Sequence, residues 1–155
     1  MPASFQADGF NTVTPSLTVR NGQDALAFYQ AAFGAVEHFR LADPSGKVMH
    51  AEFQIGDSKL MVSDEFPDWG SFAPEVGKGA LYMIYVPDAD AAFAKAVACG
   101  ATPLQPPTDQ FWGDRTGQVA DPFGYRWTLA TKSRDVSPEE IAKAAAAWTS
   151  GCEPA

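Results

Sequence analysis

Cysteine is scarce in this chain of 155 residues, which contains only Cys99 and Cys152. Cys99 falls inside a predicted helix and Cys152 lies near the end of the chain. Two cysteines so placed form neither a disulfide framework nor a thiolate metal site. We interpret them as two reduced thiols.

Long hydrophobic runs are also absent. The longest uninterrupted apolar stretch, Ala80 to Val86, is far shorter than the roughly 20 residues that cross a bilayer as a helix. The first basic residue is Arg20, so no basic segment precedes an apolar one as in a secretory signal. We therefore expect a cytoplasmic protein with no membrane partner.

Basic residues are few and scattered. The chain has 11 Lys and Arg against 19 Asp and Glu, a formal net charge of -8. Such a charge repels a phosphate backbone and an anionic membrane at long range. The sequence therefore argues against nucleic acid as a partner.

A nucleotide-binding motif and a nucleophile motif are missing as well. No GxGxxG fingerprint occurs, and Gly77-Lys78-Gly79 stands without the rest of a nucleotide-binding motif. No Ser or Cys has the surroundings of a nucleophile elbow. We expect neither a nucleotide cofactor nor a nucleophilic triad.

An internal repeat is the most informative feature that is present. Leu17 to Ala35 and Ile84 to Ala101 share the order strand, turn, amphipathic helix, glycine stop, at an offset of 66 to 67 residues. Alternating segments that predict three further strands follow each helix. In the first copy they are Val36 to Leu41, Val48 to Ile55 and Lys59 to Ser63, and in the second Thr102 to Leu104, Asp114 to Ala120 and Tyr125 to Thr131.

The fold class that follows is α+β: two βαβββ repeats that form a curved mixed sheet around a cavity, because one such unit buries its own sheet poorly. We predict a single domain, with repeat one over 12–65, a linker over 66–78, repeat two over 79–131 and a C-terminal helix over 137–149. The linker's aromatic residues, Phe66, Trp69 and Phe72, form either a flap over the cavity or a simple bridge. Ser137, Pro138 and Glu140 predict the start of the last helix, which docks on the domain or on a second subunit.

Five segments of the chain are informative together: TPSLTV, ALAFYQAAFGA, VMHAEFQIGDSKLMVSDE, FWGDRTGQVADPFGYRWTLAT and DVSPEE. They resemble the glyoxalase, bleomycin-resistance and dioxygenase superfamily, and within it the PhnB-like branch. The resemblance spans about residues 12 to 148. The resemblance implies the paired βαβββ fold, a vicinal-oxygen-chelate scaffold, a homodimer and a cavity on the concave side of the sheet.

Catalytic members of that superfamily hold a divalent metal with four side chains from the first and last strands of each repeat. The resemblance places the last-strand ligands at Met61 and Thr128. The first-strand ligands fall at Thr14 or Ser16 and at Leu81 or Met83. Hydroxyls and thioethers are poor ligands for such cations, so the resemblance implies that the usual metal site is lost and that no cofactor is bound.

His50 and Glu52 leave a different metal site open. They are two residues apart on one predicted strand and therefore point to the same face. Both are suitable ligands for zinc or ferrous iron, but two ligands do not make a site, and no pattern places His38, the other histidine, beside them. The alternative is a pair that hydrogen-bonds in the cavity or faces solvent.

Four further residues are candidates for ligand contact. Arg115 could clamp a carboxylate or phosphate, or form an internal ion pair with Asp121 or Asp109. Phe111 and Trp112 could stack on a planar ligand or belong to the core. Tyr125, like Tyr82 and Tyr85, could supply a hydroxyl.

The sequence therefore predicts a metal-independent protein that binds a small organic molecule. The predicted binding residues are His50, Glu52, Phe111, Trp112, Arg115, Tyr125 and Thr128, with no metal ligand and no assigned catalytic residue. One alternative is a metal-dependent lyase, isomerase or dioxygenase in which His50 and Glu52 hold part of the metal site. Another is a structural or regulatory protein with a vestigial cavity.

Overall fold

Each repeat folds as one strand, one helix and three further strands. The computed structural model describes residues 4–151. Repeat one contains β1 (Ser16–Val19), α1 (Gly22–Phe33), β2 (Val36–Ala42), β3 (Val48–Ile55) and β4 (Ser58–Asp64). Repeat two contains β5 (Leu81–Tyr85), α2 (Ala89–Ala98), β6 (Thr102–Asp109), β7 (Asp114–Ala120) and β8 (Arg126–Lys132), and α3 (Pro138–Ser150) follows.

The eight strands form two four-stranded mixed sheets with the same topology. Their orders are β1-β4-β3-β2 and β5-β8-β7-β6. The first strand of each repeat pairs parallel to the last, and the other neighbours are antiparallel. The predicted α+β fold of two βαβββ repeats with a C-terminal helix is thus confirmed, with the strands divided between two sheets.

Local sequence signals begin and end the helices. Asn21 and Asp88 cap the N-termini of α1 and α2 by accepting hydrogen bonds from the backbone amides of Asp24 and Ala91. Gly34 ends α1 in the left-handed conformation, with φ 68°, which a side chain would disfavour. The two repeats therefore set their helix starts in the same way.

Strand β6 is longer than the sequence predicted. It continues to Asp109 and includes Pro103, Pro106 and Pro107, which lack the amide that a central strand needs. Because β6 pairs only with β7, it is an edge strand, where proline is tolerated.

One hydrophobic core joins both helices to one face of each sheet. Its buried residues include Tyr29 of α1, Phe53 of β3, Ala96 of α2 and Trp127 of β8. The Tyr29 ring stacks on Phe53 at 5.5 Å and meets Trp127 edge-on at 5.5 Å. The repeats therefore pack through their helix sides, and the opposite face of each sheet is left outside this core.

The linker is attached to the body of the protein at several points. Arg20 donates hydrogen bonds to the carbonyls of Ala73 and Pro74, and the Ala73 amide donates to the Glu65 carboxylate. Within the linker, Phe66 stacks on Trp69 at 4.9 Å. Trp69 and Phe72 are largely exposed. A flap over a cavity therefore stays a prediction.

Cys99 is exposed and forms no disulfide within residues 4–151, whereas Cys152 lies outside the described residues. Within residues 4–151, no helix has both the length and the apolar composition needed to span a membrane.

Candidate functional site

Both sheets have a face that points away from the helices, and we call these open face one and open face two. Strand alternation assigns most of the residues, since their neighbours along the strand pack on the helix side, and pairing with Glu52 and His50 assigns Phe39 and Leu41. Open face one includes Ser16, Thr18, Phe39, Leu41, His50, Glu52, Gln54, Met61 and Ser63. Open face two includes Leu81, Met83, Tyr85, Thr116, Gln118, Ala120, Arg126, Thr128 and Ala130.

Open face one contains the predicted pair of His50 and Glu52. The His50 Nε2 atom lies 3.2 Å from the Glu52 Oε1 atom, and the Phe39 ring lies 6.2 Å from the imidazole. A register shift in β2 after Glu37 also brings His38 to within 3.0 Å of the Gln54 side chain. Both histidines thus have a polar partner on β3.

The first-strand and last-strand positions are adjacent in both sheets. Ser16 pairs with Met61, and Met83 pairs with Thr128. Two hydroxyls and two thioethers are an unsuitable donor set for a hard divalent cation. Within residues 4–151, no three His, Cys, Asp or Glu side chains converge. The residues present therefore do not fit the metal that catalytic members hold.

Open face two has a floor of small residues between larger ones. Thr116, Ala120, Thr128 and Ala130 are buried, and Gln118 donates a hydrogen bond of 3.4 Å to the Thr128 hydroxyl. On the neighbouring β5, Leu81, Met83 and Tyr85 are 45%, 50% and 65% exposed. Apolar side chains of this size, left in solvent along one strand, are typical of a binding surface.

Trp112 lies at the far end of the same sheet. Its indole donates to an oxygen of Asp114, 3.3 Å away, and its ring meets Phe111 edge-on at 5.0 Å. Asp114 is nearly buried, whereas Trp112 is 39% exposed. The loop before β7 therefore presents the flat indole of Trp112, whose orientation is fixed by its hydrogen bond to Asp114.

Arg115 lies on the helix side of sheet two. Along β7 it alternates with the open-face residues, and its guanidinium makes two hydrogen bonds to Asp90 of α2, of 2.6 and 2.9 Å. A third contact joins it to Asp109 at 3.1 Å. The two carboxylates raise the pKa of Arg115. The structure therefore does not bring Arg115 to Thr128, and of the internal ion pairs considered from sequence it has the one with Asp109.

Tyr125 connects the repeats. Its hydroxyl accepts a hydrogen bond of 2.9 Å from the Thr18 amide and donates one of 3.0 Å to the Thr18 carbonyl. These bonds occupy backbone groups on the edge of β1 that has no neighbouring strand. Burial raises the pKa of the Tyr125 hydroxyl. Its observed role is thus a structural one between the repeats.

Arg126 is a residue that the sequence reasoning missed. It begins β8 two residues before Thr128 and on the same face, between Leu81 and Ala120. The signal was available, because period-two alternation from Thr128 places Arg126 on that face.

A cleft of about 530 Å³ lies between the repeats, at the β3–β4 turn and β5. Its lining is largely apolar and includes Phe33, Leu60, Tyr82, Met83 and Trp127. None of the seven predicted binding residues lines it. It approaches open face two through Met83 and Tyr85, which belong to both surfaces.

Comparison with known proteins identifies relatives across most of the chain. The model of the Glyoxalase/Bleomycin resistance protein/Dioxygenase superfamily matches residues 9–129. An uncharacterized protein of Mycobacterium tuberculosis is 40% identical over 134 residues, which are 83% of this chain and 79% of that protein. An uncharacterized protein of Arabidopsis thaliana is 33% identical over 125 residues, 75% of each chain.

Solved structures show the same fold. The crystal structure of TioX from Micromonospora sp. ML1 has a TM-score of 0.64 at 23% identity, and it covers 79% of this chain and 98% of that one. The structure of the Arabidopsis thaliana gene product has a TM-score of 0.61 at 31% identity, with 78% of this chain and 98% of that one covered.

Proposed function

Because the chain belongs to the Glyoxalase/Bleomycin resistance protein/Dioxygenase superfamily, we propose that it is a PhnB-like member that binds a small organic molecule without a metal. The block FWGDRTGQVADPFGYRWTLAT, followed by DVSPEE, supports the PhnB-like branch. The function rests on the chemistry of the open faces. Each offers large apolar side chains around a few polar groups, the usual lining of an organic ligand site.

The observation that supports metal independence is the side-chain set at the first-strand and last-strand positions. Ser16, Met61, Met83 and Thr128 are paired in the sheets, but none has a carboxylate or an imidazole. The His50–Glu52 pair is on the next strand, where Glu52 pairs with Met61. Two ligands leave a divalent cation mostly hydrated and weakly held.

We propose further that the site is completed by a second copy of the chain, in a homodimer. The support is the exposure of Phe39 and Leu41 on open face one and of Leu81, Met83 and Tyr85 on open face two. Exposed apolar residues clustered on a sheet face mark an interface or a ligand surface. When two copies bring open faces together, a ligand lies between two sheets rather than on one exposed surface.

The test is a titration of EDTA-treated protein with N-phenyl-1-naphthylamine, a neutral planar probe whose fluorescence rises in apolar surroundings. We expect saturable binding of about one molecule per chain, unchanged by added Zn²⁺, Mn²⁺ or Ni²⁺. Thr128→Phe fills the space above the small residues of open face two and should abolish binding, whereas Ala146→Phe, at an exposed position of α3 on the side opposite Trp148, should not.

The contrary result is binding, or turnover, that requires near-stoichiometric metal and disappears in His50→Ala. That outcome would favour the metal-dependent lyase, isomerase or dioxygenase. Absence of binding under every condition would favour a vestigial cavity instead. Melting temperatures of all variants, measured with and without metal, separate loss of binding from loss of folding.

A further inference from the structure

The guanidinium of Arg126 has no partner in the part of the chain that the structure describes. Its Nε atom is buried and makes no hydrogen bond, and no carboxylate of residues 4–151 lies within ion-pair distance of it. A buried donor without an acceptor costs free energy. Such a group in a folded protein calls for an acceptor from outside the chain.

The other arginines show that this is unusual for the chain. Arg20 lies 3.6 Å from Glu65, Arg40 pairs with Glu37 at 2.6 Å and Arg115 binds Asp90 and Asp109. Arg134 donates to the carbonyl of Phe111. With 19 acidic residues against 11 basic ones, a guanidinium without a carboxylate is not the result of a shortage of acids.

The residues beside Arg126 in the sheet offer its guanidinium no acidic group. Its cross-strand neighbours are Leu81 and Ala120, which have no acceptor in their side chains. Thr128 lies two residues further along β8, about 7 Å away at the usual strand rise. At this end of open face two, Arg126 is therefore a cation among small and apolar side chains, whereas the other charged residues of that face, Asp114 and Lys132, pair with each other at the opposite end of β7 and β8.

From this arrangement we infer that Arg126 binds the acidic group of an aromatic acid, a carboxylate or a sulfonate, whose ring lies over Thr128 and against Met83. A guanidinium binds such a group with two parallel hydrogen bonds. The inference rests on the proposed function and adds the chemical class of the ligand.

The net charge of -8 does not argue against an acidic ligand. Charges on an exposed surface are screened beyond about 8 Å at physiological salt, whereas direct contact with Arg126 is shorter. The global charge slows the encounter, and the local guanidinium determines the affinity.

The experiment compares two probes that differ by one acidic group. 8-Anilinonaphthalene-1-sulfonate is N-phenyl-1-naphthylamine with a sulfonate added. We expect wild-type protein to bind the sulfonate more tightly. Arg126→Gln should weaken sulfonate binding by about ten- to hundredfold, as expected for loss of hydrogen bonds between charged groups, and leave the neutral probe unchanged. Arg126→Lys should give an intermediate loss, because it keeps the charge but not the paired donors.

Arg115→Gln is the matched control, since it removes the same charge from the opposite side of the same sheet. It should leave the ratio of the two affinities unchanged. Equal affinities of wild-type protein for the two probes, or a ratio unchanged by Arg126→Gln, would overturn this inference and leave the proposed function standing.

Two further outcomes would also count against the binding of an acidic ligand by Arg126. If Arg126→Gln weakens both probes equally and lowers the dimer fraction in sedimentation, Arg126 binds a carboxylate of the second copy rather than the ligand. If neither probe binds wild-type protein, the proposed function fails and this inference fails with it.

Discussion

A single carboxylate, that of Asp121, joins the two repeats. It is 1% exposed and accepts hydrogen bonds from the Tyr29 hydroxyl at 2.7 Å and the Trp127 indole at 2.8 Å. The backbone amides of Phe123 and Tyr125 also donate to it. Four donors compensate the cost of burying a charge, so the DPFG turn of repeat two is fixed to α1 of repeat one.

Removing one of these donors should measure the strength of the connection. Tyr29→Phe leaves the ring in place and removes one hydrogen bond to a charged group. We expect the free energy of unfolding to fall by about 1.5–3 kcal/mol, measured by urea denaturation. Tyr85→Phe, at a hydroxyl that is largely exposed, is the control and should change it by less than about 0.5 kcal/mol. An equal loss of unfolding free energy in both variants would contradict a stabilising hydrogen bond from Tyr29 to Asp121.

The same hydroxyl predicts a dependence on pH. Burial, and after it the charge of Asp121, raise the pKa of Tyr29 well above its usual range. An unfolded tyrosine ionises near pH ~10, so its contribution to stability is fully present below that pH and is lost as the pH rises through the folded value. Wild-type protein should lose stability more steeply than Tyr29→Phe between about pH 9 and 11. If the stability of the two proteins falls in parallel over this pH range, the ionisation of Tyr29 is not the cause.

Arg115 and Arg126 show what the sequence could predict at the scale of residues. Strand alternation was enough to place His50 and Glu52 on one face, and to place Arg126 with Thr128. Arg115 has a partner because α2 brings Asp90 to it from 25 residues away in the chain. Arg126 receives no such carboxylate from residues 4–151. Such a contact follows from tertiary packing and leaves no signal in local spacing.

At the scale of elements, α3 is well formed but has no buried residue. A capping box of Ser137 and Glu140 begins it, as the sequence predicted. Ile141, Ala144 and Ala145 are half-buried, and Trp148, one helical turn further along, is 63% exposed. Local signals thus define the helix, while its apolar side has little to pack against within residues 4–151.

We expect the second copy of the chain to cover that side of α3. Trp148→Ala should weaken self-association by at least about tenfold, since a buried interface tryptophan commonly contributes more than 1 kcal/mol. Sedimentation equilibrium over a range of concentrations gives the dimer dissociation constant. Trp69→Ala is the matched control, because Trp69 is 74% exposed in the linker. Equal dissociation constants for both variants would contradict this role of α3.

The strands were predicted less completely than the helices. Alternation located β3, β4 and β7 to within a residue or two, because one face of each is buried in the core. β6 was predicted too short, since its prolines are tolerated only at an edge. Edge position is a property of the assembled sheet, so the sequence of the strand did not reveal it.

At the scale of the molecule, the repeat predicted the architecture. The offset of 66 to 67 residues matches the register, in which Ser16 and Met61 of one sheet correspond to Met83 and Thr128 of the other. The sequence did not predict that the two sheets would share one core through their helix sides. Consequently the predicted residues fall into three groups: those on the open faces or beside them, Arg115 against α2, and Tyr125 between the repeats.

The central claim is that a dimer binds an organic molecule without a metal. Sedimentation velocity of EDTA-dialysed protein with 8-anilinonaphthalene-1-sulfonate, recorded at the protein and the probe absorption bands, tests it directly. The account predicts that the probe sediments with a species of twice the 16.6 kDa chain mass, at about one probe per chain. Probe that stays at the meniscus, or sediments with the protein only after metal is added, would contradict it.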